Sequence, residues 1–566
     1  MRLPGMLLLA VGTALVVSWS ALTAQSGLPG TTMPAASRPD GPGPDAGLRL
    51  YREGIASGRA VDATVQGDLR VPSSDMACTN CHRRSGLGTV EGPVTTPPVT
   101  GRVLFNPVTL GNSAIGVRTT GPGTRPAYDG QSLARVLRDG IDPAGRVLSP
   151  TMPRYALSDA DVTDLAAYLR TLDAAPPGVT GTTLHLATIT SPAAEPRRQE
   201  AMLAVLREYV RSMNAEPRYQ TRRREVGPWD MKSHYELYRR WELHEWSLSG
   251  NPRDWRAELA AQYARQPVFA VVSGTAAGDW SPIHAFCEQA GVPCVFPQTA
   301  TPPGARVDAG FYSLYFSPGV TLEAAALAAH VSKARPRESG PRVVQVARCS
   351  GQGEIAARAL SASLPPALAG TTRCVESADD LTPAFWRGLI DEGPAFVAAW
   401  LEPAETAGLA ALASTPEAFD RVERLYVSAS LLGEKLNLPG AARGKSYVLD
   451  PFIAPDDFDK YAARGLAWIK RRGLAAPDRR AAIGALYAMT IVGDAMSMPR
   501  VLTSREYFVE QIEHMVGRSP QPSAYPALSL GPQRRFGSLG CYVLKVPPEA
   551  GGAFAKVEPW FVPELK

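Results

Sequence analysis

Residues 78–82 read Cys-Thr-Asn-Cys-His, and this pentapeptide restricts the 566-residue chain more than any other feature. Two thiols three residues apart share one face of a helical turn, and an imidazole follows the second directly. Three chemistries use such a set. A structural zinc site would want a second Cys/His pair at metal-ligand spacing, and none is visible. A redox dithiol of the thioredoxin kind would want a strand–helix–strand setting, which the surrounding residues lack. The remaining reading is covalent attachment of one c-type haem. Cys78 and Cys81 would form the thioethers, and His82 would be held under the iron as an axial ligand.

Such a haem iron needs a ligand on its other face. Met152 lies in Leu148-Ser-Pro-Thr-Met152-Pro153-Arg154-Tyr155, a rigid Pro-flanked loop just ahead of a capped helix. A Met thioether there is the expected sixth ligand, and His/Met ligation raises the reduction potential and suits electron transfer. Met76 is too close to Cys78 to reach the opposite face.

The N-terminus fits an exported protein. Arg2 is the only charge in residues 1–24, Met6–Trp19 is apolar, and Ser20, Ala21, Thr23 and Ala24 are small. This predicts a secretory signal peptide over 1–24, with an uncleaved N-terminal anchor as the alternative. No Cys follows that could carry a lipid. No later segment has about 18 uninterrupted apolar residues, so no transmembrane span is expected after cleavage. The expected location is the periplasm. The net charge of +5 is small for this length, and the one basic run is Arg222–Arg224, so nucleic acid is not an expected partner.

Export also permits disulfides. Besides Cys78 and Cys81 the chain has Cys287, Cys294, Cys349, Cys374 and Cys541. Cys287 and Cys294 are close enough in sequence to bridge. Cys349 and Cys374 could join neighbouring strands, leaving Cys541 unpaired, although sequence does not fix connectivity.

The length suggests about three or four compact units. Residues 25–45 are rich in Gly, Pro, Ser and Ala and read as a flexible linker. Residues 46–173 form the first domain. Leu48, Tyr51 and Ile55 recur at helical spacing, residues 83–128 read as loops, and Gln131–Asp139 is a short helix stopping at Gly140. Ser158–Leu172 is a capped helix with Val162, Leu165, Ala166 and Leu169 as its apolar stripe. Residues 174–182 are a linker. From Thr183 strands alternate with helices through residue 428, predicting an α/β architecture with mainly parallel sheets. Residues 183–566 exceed a single core, so two lobes are expected.

Gly140-Ile-Asp-Pro-Ala-Gly145, Met152-Pro153 and Leu165-Ala-Ala-Tyr168-Leu169 resemble the C-terminal half of a class I cytochrome c domain. The resemblance implies a small all-α fold whose first and last helices cross through Tyr51 and Tyr168/Leu169. The larger region resembles the type I periplasmic solute-binding proteins that serve branched-chain amino acid and amide ABC importers. The likeness rests on Val268-Phe-Ala-Val-Val-Ser-Gly274 with Ser281, on Gly291-Val-Pro-Cys-Val-Phe-Pro-Gln-Thr299-Ala-Thr301-Pro, and on the C-terminal stretches from Tyr525 to Leu544 and Glu558 to Pro563. It implies two Rossmann-like lobes around a cleft. Ser281, Thr299 and Thr301 would then be the candidates to hold a ligand carboxylate, as a helix N-terminus favours anions. Glu402, after the strand Ala395–Trp400, is a further candidate. The aromatics Trp229, Tyr235, Tyr238, Trp241, Trp246 and Trp255 depart from the family pattern and would line a pocket or fill the core.

No phosphate-binding loop, zinc-protease helix or nucleophile elbow occurs, so no substrate chemistry is expected. The expected function is electron transfer with a periplasmic dehydrogenase or other redox protein as partner, the second region binding a small ligand or docking that partner. A receptor whose haem reports or gates ligand binding is the alternative. A peroxidase is a third reading and would need an open or displaceable sixth position.

Overall fold

The computed structural model describes residues 43–56, 58–91, 94–111, 119–192, 194–215, 239–249, 251–303, 310–333, 341–390, 395–498 and 501–565. The expected signal peptide, nearly all of the first linker, Arg222–Arg224, and Trp229, Tyr235 and Tyr238 lie outside them. No helix among the described residues is long and apolar enough to cross a membrane.

Four helices organise the first domain, α1 (Pro44–Glu53), α2 (Cys78–His82), α3 (Gly130–Asp139) and α4 (Asp159–Thr171), and a further single turn spans Gly101–Leu104. Ser158 caps α4, its side chain accepting from the Asp161 amide while Asp161 reaches back to the Ser158 amide. This reciprocal cap fixes where α4 starts and so turns Val162, Leu165, Ala166 and Leu169 inward. α1 crosses α4 with the Tyr51 and Tyr168 rings 5.3 Å apart. The crossing needs Gly47, since a Cβ there would collide with the Asp164 carbonyl. Between these helices residues 83–128 are not plain loops. They contain antiparallel pairings of 89–91 with 94–96 and of 108–111 with 119–125. These strands are short and rich in Gly and Thr, so they lack the alternation that betrays a strand in sequence.

The second region has two parallel sheets. In lobe 1, β1 (Thr183–Thr190), β2 (Arg240–Ser247), β3 (Ala270–Val272), β4 (Cys294–Val295) and β5 (Ser313–Leu314) run in the order β2-β1-β3-β4-β5. Helices α5 (Pro196–Ala215), α6 (Trp255–Arg265) and α7 (Ser281–Ala290) cover its faces. In lobe 2, β6 (Arg342–Arg348), β7 (Ala369–Val375), β8 (Ala395–Trp400), β9 (Val422–Ser428) and β10 (Ser446–Asp450) are parallel, in the order β7-β6-β8-β9-β10. β11 (Cys541–Lys545) and β12 (Ala555–Phe561) extend that sheet antiparallel. Further helices are α8 (Val320–Lys333), α9 (Arg479–Met496) and α10 (Arg505–Val516), the last two returning to the lobe 1 core.

Trp241, Trp246 and Trp255 are buried, Trp241 on one face of the lobe 1 sheet and Trp246 and Trp255 in the core on the other. After β8 the chain makes a 3-10 turn (Thr406–Gly408) followed by a short helix over Leu409–Ala413. Gly408 sits at the break, pressed against Leu381 so closely that a Cβ would clash. Cys287 bridges Cys294, and Cys349 bridges Cys374 at the ends of β6 and β7. Cys541 is buried and unpaired.

The stretch expected to be a linker is pinned down. Thr180 and Thr183 pair through their backbones, and the His185 amide donates to the Gly178 carbonyl. Arg505 of α10 donates to the carbonyls of Pro177, Val268 and Gly291.

Candidate haem site and interlobe cleft

α2 is a single turn, and it places Cys78, Cys81 and His82 within five consecutive residues. Arg83 ends the turn with φ +63° while its amide donates to the Thr79 carbonyl. The turn is held from outside. The Tyr51 hydroxyl donates to the Arg83 carbonyl at 2.7 Å, and the Thr79 hydroxyl donates to the Arg52 carbonyl at 3.3 Å. His82 Nδ1 lies 2.9 Å from the Pro97 carbonyl oxygen. A carbonyl only accepts, so Nδ1 carries the proton and Nε2 presents its lone pair. Burial lowers the His82 pKa, favouring the neutral, ligating form, with the Pro97 bond opposing. Burial pushes the Cys78 thiol up to about 12.

The residues present fit a c-type haem. Four of the other five cysteines are paired, while Cys78 and Cys81 are both free. An apolar cavity opens beside Cys78, walled by Leu50, Leu137, Tyr155, Leu157 and Leu165. The half-buried Met152 packs against the same core. Its loop is fixed by Arg154, which donates to the Met152 carbonyl at 2.5 Å and the Leu148 carbonyl at 3.0 Å. The Tyr155 hydroxyl donates to the Met76 carbonyl at 2.7 Å, tying that loop to the residues ahead of Cys78.

The residues that follow His82 dock on lobe 1. The Ser85 amide and hydroxyl donate to the two carboxyl oxygens of Glu510 on α10, at 3.0 and 2.6 Å. Arg84 lies over the Phe311 ring at 4.4 Å. Arg52 pairs with Glu506 at 3.7 Å, and Tyr312 donates to Glu506 at 2.6 Å. Nothing in the sequence advertised this seam, since its two sides are 425 residues apart.

At the other end of lobe 1 the expected ligand residues gather in part. The Thr301 hydroxyl donates to the Gly278 carbonyl at 2.6 Å, and the Trp280 amide donates to the Thr301 carbonyl at 3.2 Å. The Thr299 hydroxyl accepts from the Thr301 amide at 3.1 Å. Ser281 opens α7, but its amide and hydroxyl both donate to Asp279 Oδ1, at 3.0 and 2.8 Å. A carboxylate of the chain itself therefore occupies the donors that would greet an anionic ligand. Gln352 of lobe 2 reaches across to the Gly278 carbonyl at 3.4 Å. Glu402 stands on that side, its pKa raised by burial and by Glu405, with Arg348 opposing. Thr299 also lines a separate hollow with Arg198, Arg480, Phe316, Phe452 and Tyr525, where the lobes and α9 meet. Sequence reading did not single out Arg198 or Arg480, because neither lies in a recognisable motif.

Residues 73–173 match the cytochrome c family, and this segment is a cytochrome c domain. α1 lies ahead of the matched residues. The remainder has the two-lobe α/β fold of type I periplasmic binding proteins. It is similar to a branched-chain amino acid ABC transporter protein from Thermus thermophilus crystallised with bound valine. That likeness has 13% identity and a TM-score of 0.51, covering 68% of this chain and 98% of the other. A solute-binding protein of an ABC transporter from Rhodopseudomonas palustris BisB5, in complex with 3,4-dihydroxybenzoic acid, matches with 12% identity and a TM-score of 0.49. It covers 67% of this chain and 98% of the other. No curated protein matches.

Proposed function

We propose that the protein is an exported monohaem c-type cytochrome that transfers electrons in the periplasm, its two-lobe region binding a small ligand or docking a redox partner. Cys78 and Cys81 carry the haem, and His82 and Met152 are its axial ligands. The observation that carries this reading is the His82–Pro97 bond beside two unpaired cysteines, since it fixes the tautomer in which Nε2 ligates. A haem supplies one-electron chemistry. A periplasmic dehydrogenase is the expected class of donor.

The docking geometry favours this reading over a receptor whose haem reports ligand binding. Arg505 grips lobe 1 at Val268, and the cleft residues begin after Gly274. Six residues of extended chain, roughly 20 Å, separate the two ends. A ligand in the cleft would lie across the lobe 1 sheet from the haem domain.

The test is mass spectrometry of the protein matured in a periplasm with haem-c assembly, native and then denatured. One haem must stay attached after denaturation; its loss would sink the assignment. Met152→Ala should abolish the sulfur-to-iron charge-transfer band of the oxidised protein. A small molecule released on denaturing would instead favour the receptor reading.

A further inference from the structure

Away from both sites, three metal-binding side chains meet on lobe 1. β1 and β2 pair in parallel register, with His185 opposite Glu242 and Ala187 opposite His244. Alternation along a strand puts His185, Glu242 and His244 on the same face of the sheet. His185 Nδ1 lies 3.0 Å from His244 Nε2 and 3.5 Å from Glu242 Oε2. One ligand atom from each residue lies within 4.8 Å of the other two.

These separations match the edges of a coordination tetrahedron. Bonds of about 2.0–2.1 Å to nitrogen and oxygen place neighbouring ligands about 3.3 Å apart. The two measured edges straddle that value. Ala187, beside His244 in the register, ends at Cβ and adds no bulk over the group. The Glu242 side chain is 40% exposed and that of His185 13%, so solvent reaches the group and a water can complete the shell. Two imidazoles and a carboxylate suit zinc-like ions far better than calcium or magnesium, which prefer all-oxygen shells.

We propose that His185, Glu242 and His244 bind one divalent transition-metal ion of the zinc class, with water in the fourth position. β2 is the edge strand of its sheet, next to β1. The ion clips that edge strand to β1, whose first residues pair with the pinned stretch leading from the haem domain. It is independent of the haem iron.

The test uses intact holoprotein without a polyhistidine tag, stripped with chelator, and titrated calorimetrically with zinc chloride. One ion should bind with micromolar or tighter affinity and raise the thermal midpoint. Calcium chloride should give neither effect. His244→Gln and the half-exposed Glu242→Gln should each weaken zinc binding at least tenfold, with the haem spectrum unchanged. His514→Gln, on α10, should bind as the parent does. Absence of zinc binding would overturn the proposal, as would an unchanged zinc affinity in Glu242→Gln and His244→Gln.

Discussion

Glu510 offers the sharpest test of how the cytochrome domain is fastened to lobe 1. Burial, reinforced by Glu513 and Glu506 on its own helix, raises its carboxyl from an ordinary 4.5 to about 7, while the Ser85 bonds pull the other way. Tyr51 is the titratable group facing it from the cytochrome domain, and its own pKa is raised far above neutrality. A folded pKa above the unfolded one means the folded protein holds the proton more tightly. The stabilisation is therefore complete below pH 4.5, declines between 4.5 and about 7, and is lost above that. About 2.5 units at 1.36 kcal/mol each gives a ceiling of about 3 kcal/mol. Glu510→Gln keeps an acceptor for the Ser85 amide and cannot ionise. At pH 8 the variant should be more stable than the parent by up to about 3 kcal/mol, or about 6–12 °C in midpoint for a domain of this size. At pH 4.5 the two should coincide. Scanning calorimetry at both values, with haem absorbance marking the cytochrome transition, reads this directly. Parallel pH curves for parent and variant would refute the argument.

Three further outcomes follow from other sites. Gly47→Ala should destabilise the cytochrome domain by about 1–3 kcal/mol, because its Cβ meets the Asp164 carbonyl; chemical unfolding of the holoprotein measures it. Asp279→Asn removes the charge that occupies the Ser281 donors. If the cleft takes a small carboxylate, its affinity for a probe such as acetate should rise by about tenfold in this variant, read calorimetrically, since about 1.4 kcal/mol is the scale of one nearby like charge. Glu323 on α8 accepts from the Ser430 amide at 2.9 Å, and burial pushes its carboxyl up to about 8. The parent should lose stability as pH rises from 4.5 through 8, and Glu323→Gln should remove the share that Glu323 contributes, seen as a smaller fall of the calorimetric midpoint between pH 7 and 9 than in the parent.

What the sequence disclosed was local chemistry. The haem pentapeptide is contiguous, and the Ser158 cap and its apolar stripe sit within one helix. The α/β alternation shows because each strand or helix carries its own periodicity. Features that depend on a partner were hidden. β2 contains Trp241 and Trp246 buried five residues apart, so the alternation of a strand is broken and the segment reads as an aromatic cluster. α9 is buried nearly all round and presents no stripe. The disulfide pairings could be guessed from proximity, whereas Ser281 looked like a free anion donor until Asp279, two residues earlier, proved to be bonded to it. A side chain's own neighbour in sequence had answered the question that the family likeness posed.

The seam between the domains bears on how any signal passes from cleft to haem. Glu510 holds Ser85 and Arg505 holds Pro177, Val268 and Gly291, all from one twelve-residue helix. That helix buries Phe508, Val509 and Ile512 in the lobe 1 core. The cytochrome domain and lobe 1 are thus bolted mainly through this helix, with Arg84 on Phe311 as a second contact to lobe 1, and a closing motion of lobe 2 would leave the bolt untouched. Ligand binding can alter the haem environment only by deforming lobe 1 itself, where close packing resists small displacements. If a ligand nonetheless shifts the reduction potential, the shift should survive in Gln352→Ala, which removes the Gly278 bridge between the lobes, and should collapse in Glu510→Ala. The reverse pattern in a spectroelectrochemical titration would mean that lobe 2 contacts, and not the α10 bolt, carry the coupling.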